Sequence, residues 1–452
     1  DWEGLSGGGE VLGYPRYKIE NGCIWAARVE GRGENQRVTY YPLANFAARI
    51  RREIAATDGV EQEKVFELEA LLSGERRRVT VRSSEFEAMN WVTRALGSTA
   101  IINPGQNCRD QLRAAILYLS LGKTARATVY RHLGWTRIDG KWVYLHAGGG
   151  LGPDGPVEGV EVELDRLLCG WELPPPPTGS QVRESLQMLL ELFEVGAERI
   201  TVPTLLYALT CPLGQVDFSC YLTGPTGVFK TSWAMVVLSL FGYHRATPPT
   251  GWSSTANALE GLTFTAKDSL LVIDDDAPAA DRFSLREQTA VVTRLLRAQG
   301  NAVGRTRMRP DGGMTYDRPP RGGLLITGED VPPGASIRAR CLFVEVRPGD
   351  IDPQRLAQAQ HRAQRRELAS LMAAWIQFLA QDLEQKQAWL KERIEELRGQ
   401  VEAEHRRTAT AVARLQATAE LFGEFAARVG VTVPVAHLAE ALSKLLPVQA
   451  EL

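Results

Sequence analysis

The residues best suited to chemistry lie in one run, FSCYL-TGPTGVFKTS-WAMVVLSLF: a short apolar strand, a Gly/Pro/Thr loop and a helix-compatible apolar stretch. Gly224 stands six residues before Lys230, Gly227 takes the inner glycine place, and Thr231 follows the lysine. That spacing suits phosphate binding, because backbone N–H groups of a loop and of the first helical turn converge where the helix dipole also favours negative charge. The expected binding set is Gly224, Pro225, Thr226, Gly227, Val228, Phe229, Lys230, Thr231 and Ser232. Lys230 is expected to reach the β/γ oxygens of ATP, and the Thr231 hydroxyl to ligate Mg²⁺. Phe229 replaces the glycine usual before the lysine, and a bulky residue there is expected to keep an ordinary negative φ.

A site of this kind also needs carboxylates beside the terminal phosphate. They follow 44 residues after Lys230, where Ser269-Leu-Leu-Val-Ile-Asp274-Asp275-Asp276 reads as an apolar strand ending in acid. Asp274 is expected to hold the metal shell and Asp275 to polarise the attacking water. A strand closing into a helix N-cap is the bland alternative, since Ala277-Pro278 comes next. A third apolar run, Gly323-Leu-Leu-Ile-Thr327-Gly328-Glu329, ends in polar residues, and Ser336-Ile-Arg338-Ala-Arg340 leads into a fourth. An arginine so placed suits a finger that stabilises charge on a neighbour's γ-phosphate, with Arg340 preferred to Arg338.

The elements that must position these groups read as an α/β P-loop core over 182–348, where apolar strands alternate with helices and Gly-rich turns. Pro174 to Pro177 forbid a continuous helix or central strand, so 174–181 is expected to be a linker. Before it, 1–173 is expected to be an α+β domain that binds DNA or a partner. Asn21-Gly22 and Asp139-Gly140 mark hairpins, while LANFAARIRREIAA and DQLRAAILYLSLG have helical spacing. After it, 349–452 is expected to be helical, with Leu368, Leu371, Trp375, Phe378, Leu379 and Leu383 on one buried face and KERIEELRGQVEAEHRR solvated. Gly150-Leu-Gly152-Pro-Asp-Gly155 matches a dinucleotide fingerprint in letters only. Pro156 and the strand-like VEGVEVEL follow it, so a glycine-rich turn is expected.

Composition narrows the classes. With 44% hydrophobic and 23% charged residues the chain should fold, and a net charge of -2 makes any nucleic-acid contact local. The six cysteines form no CxxC pair and read as reduced core thiols. No apolar stretch reaches the roughly 20 residues a membrane span needs, and DWEGLSGGGE lacks the pattern of a secretory leader, so a cytoplasmic location is expected. The local charge sits between the acidic and third strands. Arg305, Arg307, Arg309, Arg318 and Arg321 against Asp311 and Asp317 give +3 there, around the turn signal Asp311-Gly312-Gly313.

With those residues in view, about residues 15 to 345 resemble the helicase-like AAA+ ATPases of bacterial mobile elements and prophages. The strings LGWTRIDGKWVYLHAGG, GPTGVFKTS, GWSSTANALEGL, LLVIDDD and LLITGED carry the likeness. The core is similar to viral superfamily three helicases and minichromosome-maintenance ATPases. That resemblance implies a hexameric ring that uses ATP and Mg²⁺ to move single-stranded DNA through its pore in mobile-element replication. It also implies a polar sensor at Thr327 on the strand between the two nucleotide strands, and a basic pore hairpin at Arg305 to Arg321. Two departures, Phe229 and the Asp275 that stands where such proteins usually carry glutamate, point to slow hydrolysis. A nucleic-acid-responsive defence or switch ATPase without unwinding, and a structural ring cemented by nucleotide, stay open beside the helicase.

Overall fold

The computed structural model describes residues 2–275, 282–304, 317–332, 334–401, 403 and 405–451. The chain divides into two compact units, 1–129 and 130–452.

In the first unit, Ser6–Val11, Tyr14–Glu20, Cys23–Glu30 and Arg37–Pro42 form an antiparallel sheet in chain order. The Asn21-Gly22 turn joins its second and third strands, both residues at positive φ as a tight hairpin requires. A second sheet places Phe46–Thr57 between Ala125–Tyr130 and Gln62–Leu72, with Glu75–Arg82 beyond. The segment LANFAARIRREIAA, expected helical, is therefore a strand, Phe46–Thr57. DQLRAAILYLSLG is helical as expected: Cys108–Ser120 buries Leu112, Ala115, Ile116 and Leu119. The arginine run 76–82 lies on the last strand of the second sheet.

The second unit is built on a parallel sheet. Its order is Thr250–Gly251, Leu270–Asp274, Gly323–Gly328, Ser219–Thr223, Cys341–Glu345, so the first strand in the chain lies between the fourth and the fifth. Strands covered on both faces must be apolar throughout, which is why SCYLT, LLVI and GLLITG are buried at every position. The hairpin Gly134–Ile138 with Lys141–His146 belongs to this unit. It is tied in by Trp135 Nε1 donating to Pro212 O at 2.6 Å and Tyr144 Oη to Asp268 O at 2.9 Å. The proline run 174–177 also lies inside this unit. Gly150 to Gly155 form antiparallel strands around a turn, Gly152 pairing with Gly155, and open no helix.

Helices Pro353–Gln364, Glu367–Ala380, Leu383–Arg398, Arg406–Arg428, Val435–Ser443 and Leu446–Glu451 complete the unit. Leu368, Leu371, Trp375, Phe378, Leu379 and Leu383 are buried as their spacing indicates, and Trp375 meets Phe378, Phe422 and Phe425. Burying side chains of this size contributes about 1.5–3 kcal/mol each, enough to fix these helices without help from their charged faces. Four of the six cysteines are buried thiols; Cys23 is half-buried and Cys169 exposed, which corrects the expectation of six core thiols. No helix among the described residues is long and apolar enough to cross a membrane.

Candidate nucleotide site

The site lies at the carboxyl ends of three neighbouring strands, where open α/β sheets bind ligands. Parallel register fixes the levels: Leu222 pairs with Thr327, and Ile273 with Ile326, which brings Asp274 level with Thr327. From Ser219–Thr223 the chain enters the loop 224–229 and then the helix Lys230–Leu238. That helix is apolar after its first turn and its Trp233 donates to Thr204 Oγ1 at 2.9 Å, so its N-terminus is held at the sheet end.

Gly224 is needed at its place. Its φ is +146°, and a Cβ there would lie 2.2 Å from Val346 O. Gly227 has φ +86°. Phe229 overturns the expectation of a negative φ: it sits at φ 68°, ψ 19°, in the left-handed region, with its side chain 41% exposed. The loop keeps the geometry a glycine would give it, and phenylalanine holds that geometry at a cost of about 1–2 kcal/mol.

Lys230 Nζ donates to Gly224 O at 2.7 Å and Pro225 O at 2.8 Å, across the loop it follows. Burial lowers the pKa of its ammonium below the ordinary lysine value, while the charges of Glu329, Asp275 and Asp274 pull it back up. Thr231 Oγ1 donates to Asp274 Oδ1 at 2.7 Å, and Thr327 Oγ1 donates to the same oxygen at 2.5 Å. Thr327 Oγ1 in turn accepts the Asp275 N–H at 3.2 Å. Thr327, 1% exposed, therefore ties its strand to the acidic strand, and Thr231 ties the helix after the loop to the same Asp274 oxygen.

This donor set fits a hydrated divalent cation. Thr231 gives its proton to Asp274, which leaves its oxygen lone pairs for a metal, and no hydrogen bond reaches Asp274 Oδ2 among the described residues. Bound there, Mg²⁺ would supply charge to nucleotide phosphate oxygens. Val228 is buried; Thr226 donates to Glu329 Oε1, a contact that spacing in the sequence did not indicate. Glu329 had a signal, its place just past the end of the Thr327 strand, but no assigned role.

The arginines are placed otherwise. Arg340 donates to Asn301 Oδ1 at 2.9 Å, to Ser336 Oγ at 2.7 Å and to Ser336 O. Burial, then the charges of Arg407 and Arg297, lower the pKa of its guanidinium. Arg338 ends the short helix Ala335–Arg338. Arg321 stacks 3.5 Å from the Phe264 ring centroid and donates to Phe264 O at 2.6 Å, and exposed Arg318 lies 5.6 Å from the same ring. Arg305, Arg307 and Arg309 lie outside the described residues.

With this geometry in hand, the chain can be set beside known proteins. It is similar to a solved SCCmec type IV Cch, described as an active helicase, at a TM-score of 0.57 and 11% identity, over 96% of this chain and 78% of that one. The chain shares the fold of a helicase. A JCV helicase solved with a bound small molecule aligns over 52% of this chain and 71% of that one at 13% identity, with a TM-score of 0.24 that carries no weight. No family model and no curated protein matches the chain.

Proposed function

We propose that the chain is an AAA+ ATPase that forms a ring, most simply a hexamer, in the cytoplasm and couples ATP hydrolysis to movement on single-stranded DNA during mobile-element replication. The observation that carries this reading is the convergence of Thr231 and Thr327 on Asp274, beside Lys230, in a fold shared with a helicase. In this reading Lys230 holds the β/γ oxygens, Thr231 and Asp274 hold Mg²⁺, Asp275 and Thr327 orient the attacking water, and Arg340 reaches a neighbour's nucleotide. Within 1–173 the compact unit 1–129 recruits DNA or a partner, 130–181 pack within the second unit, 182–348 form the ATPase core and 349–452 buttress it. Arg305, Arg307, Arg309 and Arg318 follow DNA phosphates, with Arg321 at the base of that segment.

The test is ATP turnover with and without single-stranded DNA, alongside a strand-separation assay. Turnover that rises with DNA, together with strand separation, is expected. Lys230→Ala should lower turnover by about 100- to 1000-fold and leave the fold intact, because it removes a cation held against the loop carbonyls. DNA-stimulated turnover without separation would favour a switch or defence ATPase. Nucleotide-dependent assembly without turnover would favour a structural ring, and a Lys230→Ala variant as active as the parent would sink the nucleotide site itself.

A further inference from the structure

Glu329 follows the last residue of the Gly323–Gly328 strand and is exposed, yet it is held in place from two sides. Its backbone carbonyl accepts the Thr223 hydroxyl at 2.9 Å, and its side-chain Oε1 accepts the Thr226 hydroxyl. Tyr221 Oη donates to the next carbonyl, Asp330 O, at 3.2 Å. The strand that leads into the phosphate loop thus fixes the backbone of Glu329, and the loop itself fixes its carboxylate. Glu329 is also the foremost of the three carboxylates whose charge acts on Lys230. A carboxylate placed against a loop suited to phosphate repels its ligand, a cost that a part in the reaction would account for. Asp275, the other candidate for that service, has one methylene fewer.

We propose that Glu329 is a further catalytic residue of this site, facing the terminal phosphate of bound ATP and accepting the proton of the attacking water. The inference rests on the nucleotide reading above and deepens it. In the step, the water oxygen bonds to the terminal phosphorus and the bond from that phosphorus to the bridging oxygen breaks. The bridging oxygen leaves with ADP, and the water proton passes to the Glu329 carboxylate and from there to solvent. Thr226 and Thr223 keep the carboxylate aimed, so it needs no rearrangement at the moment of reaction.

Glu329→Gln is the discriminating variant, because the amide oxygen still accepts from Thr226 while charge and basicity are lost. Turnover should fall at least ~100-fold, the scale of a lost general base. Binding of a fluorescent non-hydrolysable ATP analogue should hold or tighten, since a repelling charge is gone, and ADP binding should not change. Turnover within threefold of the parent would overturn the proposal. So would analogue and ADP binding that both weaken tenfold, since that marks a residue that only shapes the loop. Lys230→Ala in the same binding assay separates the two readings: if it abolishes nucleotide binding while Glu329→Gln is fully active, only the role of Glu329 falls. If Lys230→Ala and the parent bind nucleotide alike, both fall.

Discussion

The acidic end of the site and its basic groups are held in different ways. Asp274 already accepts two hydroxyl hydrogen bonds, from Thr231 and Thr327, on one oxygen. Those three side chains sit where ordinary strand and helix geometry puts them. Lys230 instead rests on two loop carbonyls, Phe229 occupies a left-handed conformation, and Arg340 is folded onto Ser336 and Asn301 of its own chain. Strand ends place the acidic groups in advance. Lys230 and Arg340 are engaged by partners within their own chain, and in the proposed reading they exchange those partners for phosphate. Under the proposed function this contrast predicts that the acidic end is the fixed part of the site and the cationic side its responsive part.

The largest effect that could break this comparison is at Arg340. If its contacts to Ser336 and Asn301 give way to a neighbour's γ-phosphate, Arg340→Ala should bind nucleotide normally and lose turnover by about 1000-fold or more, as other arginine fingers do. Mixed with parent subunits it should depress turnover more than in proportion to its fraction, because a finger acts across a head-to-tail contact. Normal turnover in the pure variant would make Arg340 a structural residue and leave Arg338 to be tried.

A smaller effect is expected at Arg321, one of the basic residues between the acidic and third strands, which is held by its own chain. It carries a ring contact to Phe264 and a hydrogen bond to the Phe264 carbonyl, and its backbone N–H donates to Thr263 O at 3.1 Å. Arg321→Ala keeps the backbone bond and loses the other two, about 1–3 kcal/mol together. Urea denaturation followed by circular dichroism measures it. Unchanged stability with a clear loss of DNA affinity would move Arg321 from the base of the segment to the nucleic acid itself.

How much of this could be read from residues depended on burial. The three strands that carry the candidate site are covered on both faces, so they are spelled as largely apolar runs, and two of them reach a residue singled out in the sequence: Asp274 ends its strand and Thr327 stands one residue before the end of its own. Phe46–Thr57 could not be read so. Its Phe46, Ile50 and Ile54 recur every four residues, which suits a helical turn, and a bulge between Ile50 and Arg52 breaks the alternation that marks a strand. The bond between Thr226 and Glu329 joins residues 103 positions apart, and no local pattern records such a contact. The charge of Arg321 reads as part of a basic hairpin for nucleic acid, and only the placement of Phe264 shows it engaged by its own chain.

The smallest effect is at Phe229, and it asks whether the responsive side is strained before ligand arrives. At φ 68° a side chain with a Cβ costs about 1–2 kcal/mol, which glycine avoids. Glycine in turn lowers the folded state's advantage by roughly 0.5–1 kcal/mol, because its unfolded chain is freer. Phe229 is 41% exposed, so the burial lost with its ring offsets part of the relief of strain. Phe229→Gly should therefore stay within about 1 kcal/mol of the parent in denaturant unfolding and bind nucleotide at least as well as the parent. A larger loss of stability would mean that the ring makes contacts worth more than the strain, and the loop would then join the acidic end as a part of the site already at rest without its ligand.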